Sequence, residues 1–123
     1  MTSPRHPHAM TIETYPHRVK VIFHEKVIAD TQQALVLKEG SLPPVLYLPR
    51  RDVVMAYLER TTHSTHCPFK GDASYFTVNV DGRVAENAAW SYETPLASVS
   101  AIKDHIAFYR EKIDAIEETP SER

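Results

Sequence analysis

Three side chains able to bind a metal or move a proton fall within five residues of this chain: His63, His66 and Cys67. Imidazole and thiolate are zinc ligands in tetrahedral sites. A fourth ligand would have to come from Asp72 or His105. The chain has 1 cysteine in all, so it has no Cys-x-x-Cys pair, and no metal site is expected. The same residues also read as catalytic machinery. Cys67 would be the nucleophile, His66 the base and Lys70 an electrophilic clamp. A thiolate nucleophile needs a nearby cation to lower its pKa, and Lys70 and His66 are the candidates. The weightier alternative is that Cys67 is a small packing residue, the usual fate of a free cysteine. Lys70-Gly71 resembles a scrap of a phosphate loop. It lacks the preceding glycines and the following Ser/Thr, so a P-loop is rejected. Lys70 can still meet an anion as a point charge.

Other residues are candidates for binding rather than chemistry. Tyr75, Trp90, Tyr92 and Tyr109 form an aromatic set, either core or the wall of a small-molecule pocket. Thr65 would add a polar contact. Arg50 and Asp52 would meet polar ligand groups, and their bland alternative is capping and a surface ion pair.

These residues need a scaffold, and period-two alternation supplies it. In residues 18–24, Val19, Val21 and Phe23 share one face. Glu25-Lys26 reads as a tight turn into a short strand at 27–29. Residues 33–39 and 45–48 are further strands, separated by a loop ending in Pro43-Pro44. Asp52 is placed to cap a short helical stretch at 53–59. Residues 60–71 are polar and read as a long interior loop, where binding residues concentrate. Residues 74–80 are the clearest strand: Phe76, Val78 and Val80 face one way, and Tyr75, Thr77 and Asn79 the other. Asp81-Gly82 is a strong hairpin signal. Residues 88–92 follow as a strand with Trp90 and Tyr92 on one face. The stretch 102–116 fits a strand or a helix. A strand at 105–109, then frayed helix or coil after Ile113, is the favoured reading. Many short strands with turns between them predict an antiparallel β sandwich, barrel or folded sheet.

Composition bounds the rest. The chain has 123 residues, 42% apolar and 24% charged, with net charge -2. Such a length suits one domain with its own core. The expected organisation is a flexible tail at 1–15, a single β domain at 16–118 and a disordered end at 119–123. The charge carries no basic footprint for nucleic acid. No apolar run approaches the roughly 20 residues of a membrane helix. The single cysteine and the lack of a signal-like apolar start point to a reducing cytoplasm.

At Thr65-His66-Cys67-Pro68-Phe69-Lys70-Gly71 the chain resembles the family known as domain of unknown function 427, whose core reads Thr-x-Cys-Pro-aromatic-Lys-Gly. The upstream Pro-Pro-Val-x-Tyr-x-Pro-Arg-x-Asp-Val segment is complete here from Pro43 to Val53. Downstream stand Asn87, Trp90, Tyr92 and Pro95, then Ala107-Phe108-Tyr109. His6-Pro7 and Arg18-Val19 also match, so the likeness runs over residues 6–116. It implies a mainly β domain, a β-tent-like folded sheet with at most one or two short helices. It implies no established activity. β-Tent relatives that hold zinc use cysteine pairs, absent here. A nucleotidyltransferase role is not adopted, because no paired-carboxylate metal motif stands beside a Gly-Ser.

Two functions follow as expectations. The first is a small-molecule binding domain, with or without catalysis, whose pocket joins the 62–71 loop to the Trp90/Tyr92 strand. Its ligand would be small and anionic or aromatic, and no cofactor is indicated. The second is a non-catalytic module that meets a protein through an aromatic sheet face or an open sheet edge.

Overall fold

The computed structural model describes residues 9–120. Alternating apolar side chains build strands through most of that length. They are β1 (Met10–Thr14), β2 (His17–Phe23), β3 (Lys26–Thr31), β4 (Leu35–Glu39), β5 (Val45–Pro49), β6 (Leu58–Cys67), β7 (Gly71–Val80), β8 (Arg83–Ser91), β9 (His105–Phe108) and β10 (Ala115–Pro120). Helical structure among the described residues is limited to short 3-10 turns. The strands form two antiparallel sheets. The larger has the order β1-β4-β5-β9-β8-β7-β6, and the smaller β10-β2-β3. The mainly β, antiparallel architecture is the one expected. The large sheet is open, because β1 and β6 are edges.

β7 shows how one sequence serves two cores. Successive side chains on a strand point to opposite faces. Ala73 and Tyr75 therefore join one buried cluster, while Phe76, Val78 and Val80 join another. The small sheet covers the second of these faces, where Val19, Val21, Ile28 and Ala29 meet Phe76, Val78 and Ile106. On the opposite face Tyr47, Tyr75, Tyr92 and Ala107 pack with Val99 and Ile102 from the 3-10 segment Ala97–Ile102. The large sheet has one weak seam. β5 joins β9 only at Leu48–Ile106 and Pro49–His105. Away from those pairs β5 stays on β4 and β9 stays on β8, so the two strands part.

Several expectations are corrected. The 60–71 loop is largely a strand: β6 runs to Cys67 and a tight turn follows. β6 is an edge strand with mostly exposed side chains, so no apolar alternation marks it. Residues after Ile113 are not helix or coil but β10, another edge, paired with β2. The helical stretch expected at 53–59 is only the 3-10 turn Met55–Tyr57, and Asp52 does not cap it. Two 3-10 turns, Arg50–Asp52 and Met55–Tyr57, flank Val53, which bridges to Ala29 in extended form. Branching at Cβ in Val53 and Val54 favours that conformation. Residues 10–14, expected as tail, pair with β4, with Ile12 opposite Leu37. Thr119 and Pro120, expected as disordered, belong to β10. The His6-Pro7 start lies outside the described residues.

The first hairpin turn is His24-Glu25 rather than Glu25-Lys26, since Phe23 pairs with Lys26. Both turn residues have positive φ, 52° and 64°. The Asp81-Gly82 turn does as foreseen, with φ of 52° and 90°. Side chains with a Cβ are strained there, at a cost of about 1–2 kcal/mol per residue. The favoured pair for this turn is Asn-Gly. The double change His24→Asn, Glu25→Gly is expected to stabilise the fold by about 1 kcal/mol. Urea denaturation measures it; a lower midpoint would show that the two native side chains outweigh the backbone strain.

Candidate functional site

The site grows from the β6–β7 turn. Lys70 N–H donates to the Cys67 carbonyl at 3.2 Å, closing the turn. Gly71 follows with φ of 111°, and a Cβ there would come 3.4 Å from the Thr94 carbonyl oxygen. Leu96 N–H donates to the Lys70 carbonyl at 3.0 Å, anchoring the turn on the segment after β8. So held, the Lys70 side chain meets Glu39 at the end of β4. Nζ lies 2.7 Å from Oε1, and the two side chains are only 12% and 11% exposed. Lys70 Nζ also stands 5.9 Å from the centre of the Tyr92 ring.

Around this ion pair lies a set of phenols. Trp90 Nε1 donates to the Tyr47 hydroxyl at 3.4 Å. Thr65 Oγ1 and the Tyr75 hydroxyl are 3.0 Å apart. The Tyr109 phenol lies near enough to Tyr75 for the two to interact electrostatically. The Trp90 and Tyr109 ring centres are 4.5 Å apart, and the His63 ring stacks edge-on against Tyr75 at 4.5 Å. Burial pushes the Tyr47 phenol up to about 12; the Trp90 bond opposes this and the Glu39 charge adds to it. Burial also raises Tyr92 strongly. Tyr109 is pushed up to about 12 by burial and then by its interaction with Tyr75.

Beside the phenols the sheet opens. Where β5 parts from β9 there is a cavity of about 410 Å³. Its walls are residues 42–46 on one side and residues 108–111 on the other, with Leu37, Glu39, Leu48, Trp90 and Ile116 completing it. The lining is mostly apolar, with Glu39, Arg110 and Glu111 as its charged members.

The predicted site residues divide. Lys70, Thr65, Tyr75, Trp90, Tyr92 and Tyr109 do come together on one face. His66 does not join them. It neighbours Cys67 on a strand, so it points to the other face, where Nδ1 lies 2.7 Å from Asp72 Oδ1 with both side chains exposed. A Cys67–His66 nucleophile–base pair is therefore excluded by strand alternation. Cys67 packs against the phenol-bearing core. His63 and His66 do not converge on a metal, His105 Nδ1 lies against the Lys103 carbonyl, and no group of metal ligands occurs among the described residues. Arg50 and Asp52 are elsewhere. Arg50 pairs with Glu93 at 3.3 Å and lies over Phe76, on the opposite face of β7. Asp52 accepts from Thr31 Oγ1 at 2.7 Å. No residue of 62–71 lines this cavity, although Lys70 holds Glu39, which does.

Sequence reading missed Glu39, Tyr47, Arg110 and Glu111. Tyr47 had a signal, since it lies inside the Pro43 to Val53 segment that resembles the family's motif. Glu39 had none, because its partner is 31 residues away.

The family model described as Domain of unknown function (DUF427) matches residues 11–119. The chain belongs to that family. No match is found among curated proteins. In this DUF427 chain the motif residues Cys67, Lys70 and Gly71 thus have structural work: a packed thiol, an inward ion pair and a turn only glycine tolerates easily. Among the described residues no helix is long and apolar enough to cross a membrane.

Two outcomes test this geometry. Lys70→Met removes the cation that pairs with the nearly buried Glu39 carboxylate, which is expected to cost about 3 kcal/mol in urea denaturation. The double variant Lys70→Met, Glu39→Leu should lose far less; equal losses would mean the pair is not coupled. The phenols give the second. A folded pKa above the unfolded value of about 10 means stability is whole below pH 10 and declines as pH rises toward 12. Absorbance titration at high pH should show Tyr47, Tyr92 and Tyr109 ionising late or only on unfolding; six tyrosines titrating together near pH 10 would refute the burial pattern.

Proposed function

We propose that this domain binds a small, largely apolar, planar molecule in the cavity between residues 42–46 and 108–111. The observation that carries this is the cavity itself. Its volume of about 410 Å³ lies in the range of small-molecule sites, roughly 300–1,000 Å³. Such sites are apolar and aromatic with a few polar groups, and Trp90, Tyr109 and Glu39 supply those features. Pro43 and Pro44 stiffen one wall, so the site needs little ordering on binding.

Of the two ligand classes expected, the aromatic one is favoured over the anionic one. Lys70, the residue that would greet an anion, is already neutralised by Glu39 at 2.7 Å. Binding without turnover is the reading adopted, since the Cys67, His66 and Lys70 trio does not assemble. A second reading keeps some support. β6 is an open edge ten residues long with mostly exposed side chains, and a partner strand could extend the sheet there.

Trp90 is the sole tryptophan, so its fluorescence reports on the cavity alone. Titration with the neutral probe N-phenyl-1-naphthylamine should quench Trp90 saturably and raise the melting temperature. Val45→Phe narrows the cavity and should weaken binding about tenfold or more. The reading falls if quenching never saturates, or if Val45→Phe binds the probe as well as the native protein does.

A further inference from the structure

The cavity wall carries three charged side chains: Glu39, Arg110 and Glu111. Two are already engaged. Glu39 is tied to Lys70, and the Arg110 guanidinium donates to Glu118 at 2.9 Å. Glu118 in turn accepts from the Tyr15 hydroxyl, and those two partners hold its carboxyl below the usual range, the Tyr15 bond first and Arg110 after it. Arg110 is therefore paired with a carboxylate that stays ionised. Glu111 differs. It is exposed, and it has no hydrogen bond or ion pair among the described residues. Glu111 thus adds to the wall a negative charge with no ion-pair partner among the described residues.

That charge stands next to aromatic rings. Glu111 follows Tyr109 by two residues, and its carboxylate reaches the Tyr109 phenol electrostatically, helping to raise it. Tyr109 and Trp90 both line the cavity, with ring centres 4.5 Å apart and planes tilted by 43°. Aromatic faces are negative and attract ammonium groups. Tyr109 already shows this preference, since Lys112 Nζ lies 5.5 Å from its ring centre. Lys112 does not line the cavity, and it donates to the Glu86 carbonyl at 3.0 Å.

We propose that the cavity is selective for organic cations, taking an apolar or aryl body beside Trp90 and Tyr109 and an ammonium group against the Glu111 carboxylate. This rests on the binding reading above and adds a charge class to it. The apolar lining supplies the affinity and the carboxylate with the rings supplies the sign.

Three ligands of one skeleton separate the two claims: 4-phenylbutylamine, 4-phenylbutanol and 4-phenylbutanoate. Each is titrated at pH 7 and low salt, read by Trp90 fluorescence and by calorimetry. The amine is expected to bind about fivefold tighter than the alcohol, as an exposed ion pair plus a cation–π contact would give. The carboxylate should be weakest, and added salt should shrink the amine's advantage. Glu111→Gln, a change at an exposed position, should bring the amine down to the alcohol and leave the alcohol unchanged. Equal affinity for amine and alcohol overturns the charge assignment, and so does tightest binding of the carboxylate, which would point to Arg110. In both cases the apolar site stands. Failure of all three ligands to perturb Trp90 removes the site and the inference together.

Discussion

One ion pair spans the concave face of this protein. Lys70 sits on the turn between the last two strands of the large sheet, and Glu39 ends the strand second from the other edge. β4 and β7 are four strand spacings apart, about 19 Å in a flat sheet. That is more than the two side chains can span together, so their 2.7 Å contact requires a curled sheet. The curl is what turns one face inward, brings Tyr47, Tyr75 and Tyr92 together, and leaves room beside them. The charges are mostly removed from water, so losing either one costs its partner the opposite charge that burial calls for.

The two faces of the large sheet do different work. One is closed by the small sheet with aliphatic side chains and Phe23, Phe76 and Phe108, an apolar interface that holds the architecture. The other carries the hydroxyls, the lone tryptophan and the ion pair. Polar atoms there are satisfied by one another, as in Thr65 with Tyr75 and Trp90 with Tyr47, which is the condition for burying them at all. The cavity lies where the sheet's own hydrogen bonding lapses, between β5 and β9. A gap in a ladder exposes apolar wall without a separate domain to form it.

Much of the scaffold was legible in the sequence. The strands around Val19, Leu37 and Val78 announced themselves because each buries one or both faces, and alternation follows from burial. The strands that stayed hidden, β1, β6 and β10, are sheet edges. An edge strand needs few apolar residues, since most of it faces water, and so it reads as loop or tail. The candidate site was half legible. Lys70, Tyr75, Trp90 and Tyr92 were found from their types and the motif around them. His66 was drawn in as the neighbour of Cys67, and neighbours on a strand face apart.

The sequence by itself determined the fold class, the family and the residues that turn inward along each buried strand, because these depend on periodicity and local motif. It also set the local devices, such as the Asp81-Gly82 turn and the glycine at position 71. Only the tertiary structure decided that Lys70 belongs to Glu39, that Arg50 and Asp52 serve other contacts, and that the cavity opens beside Tyr109 instead of beside Thr65. Those facts depend on sheet order and curl. They join residues 21 to 43 positions apart in the chain, a distance over which no pattern in the sequence records which side chains will meet.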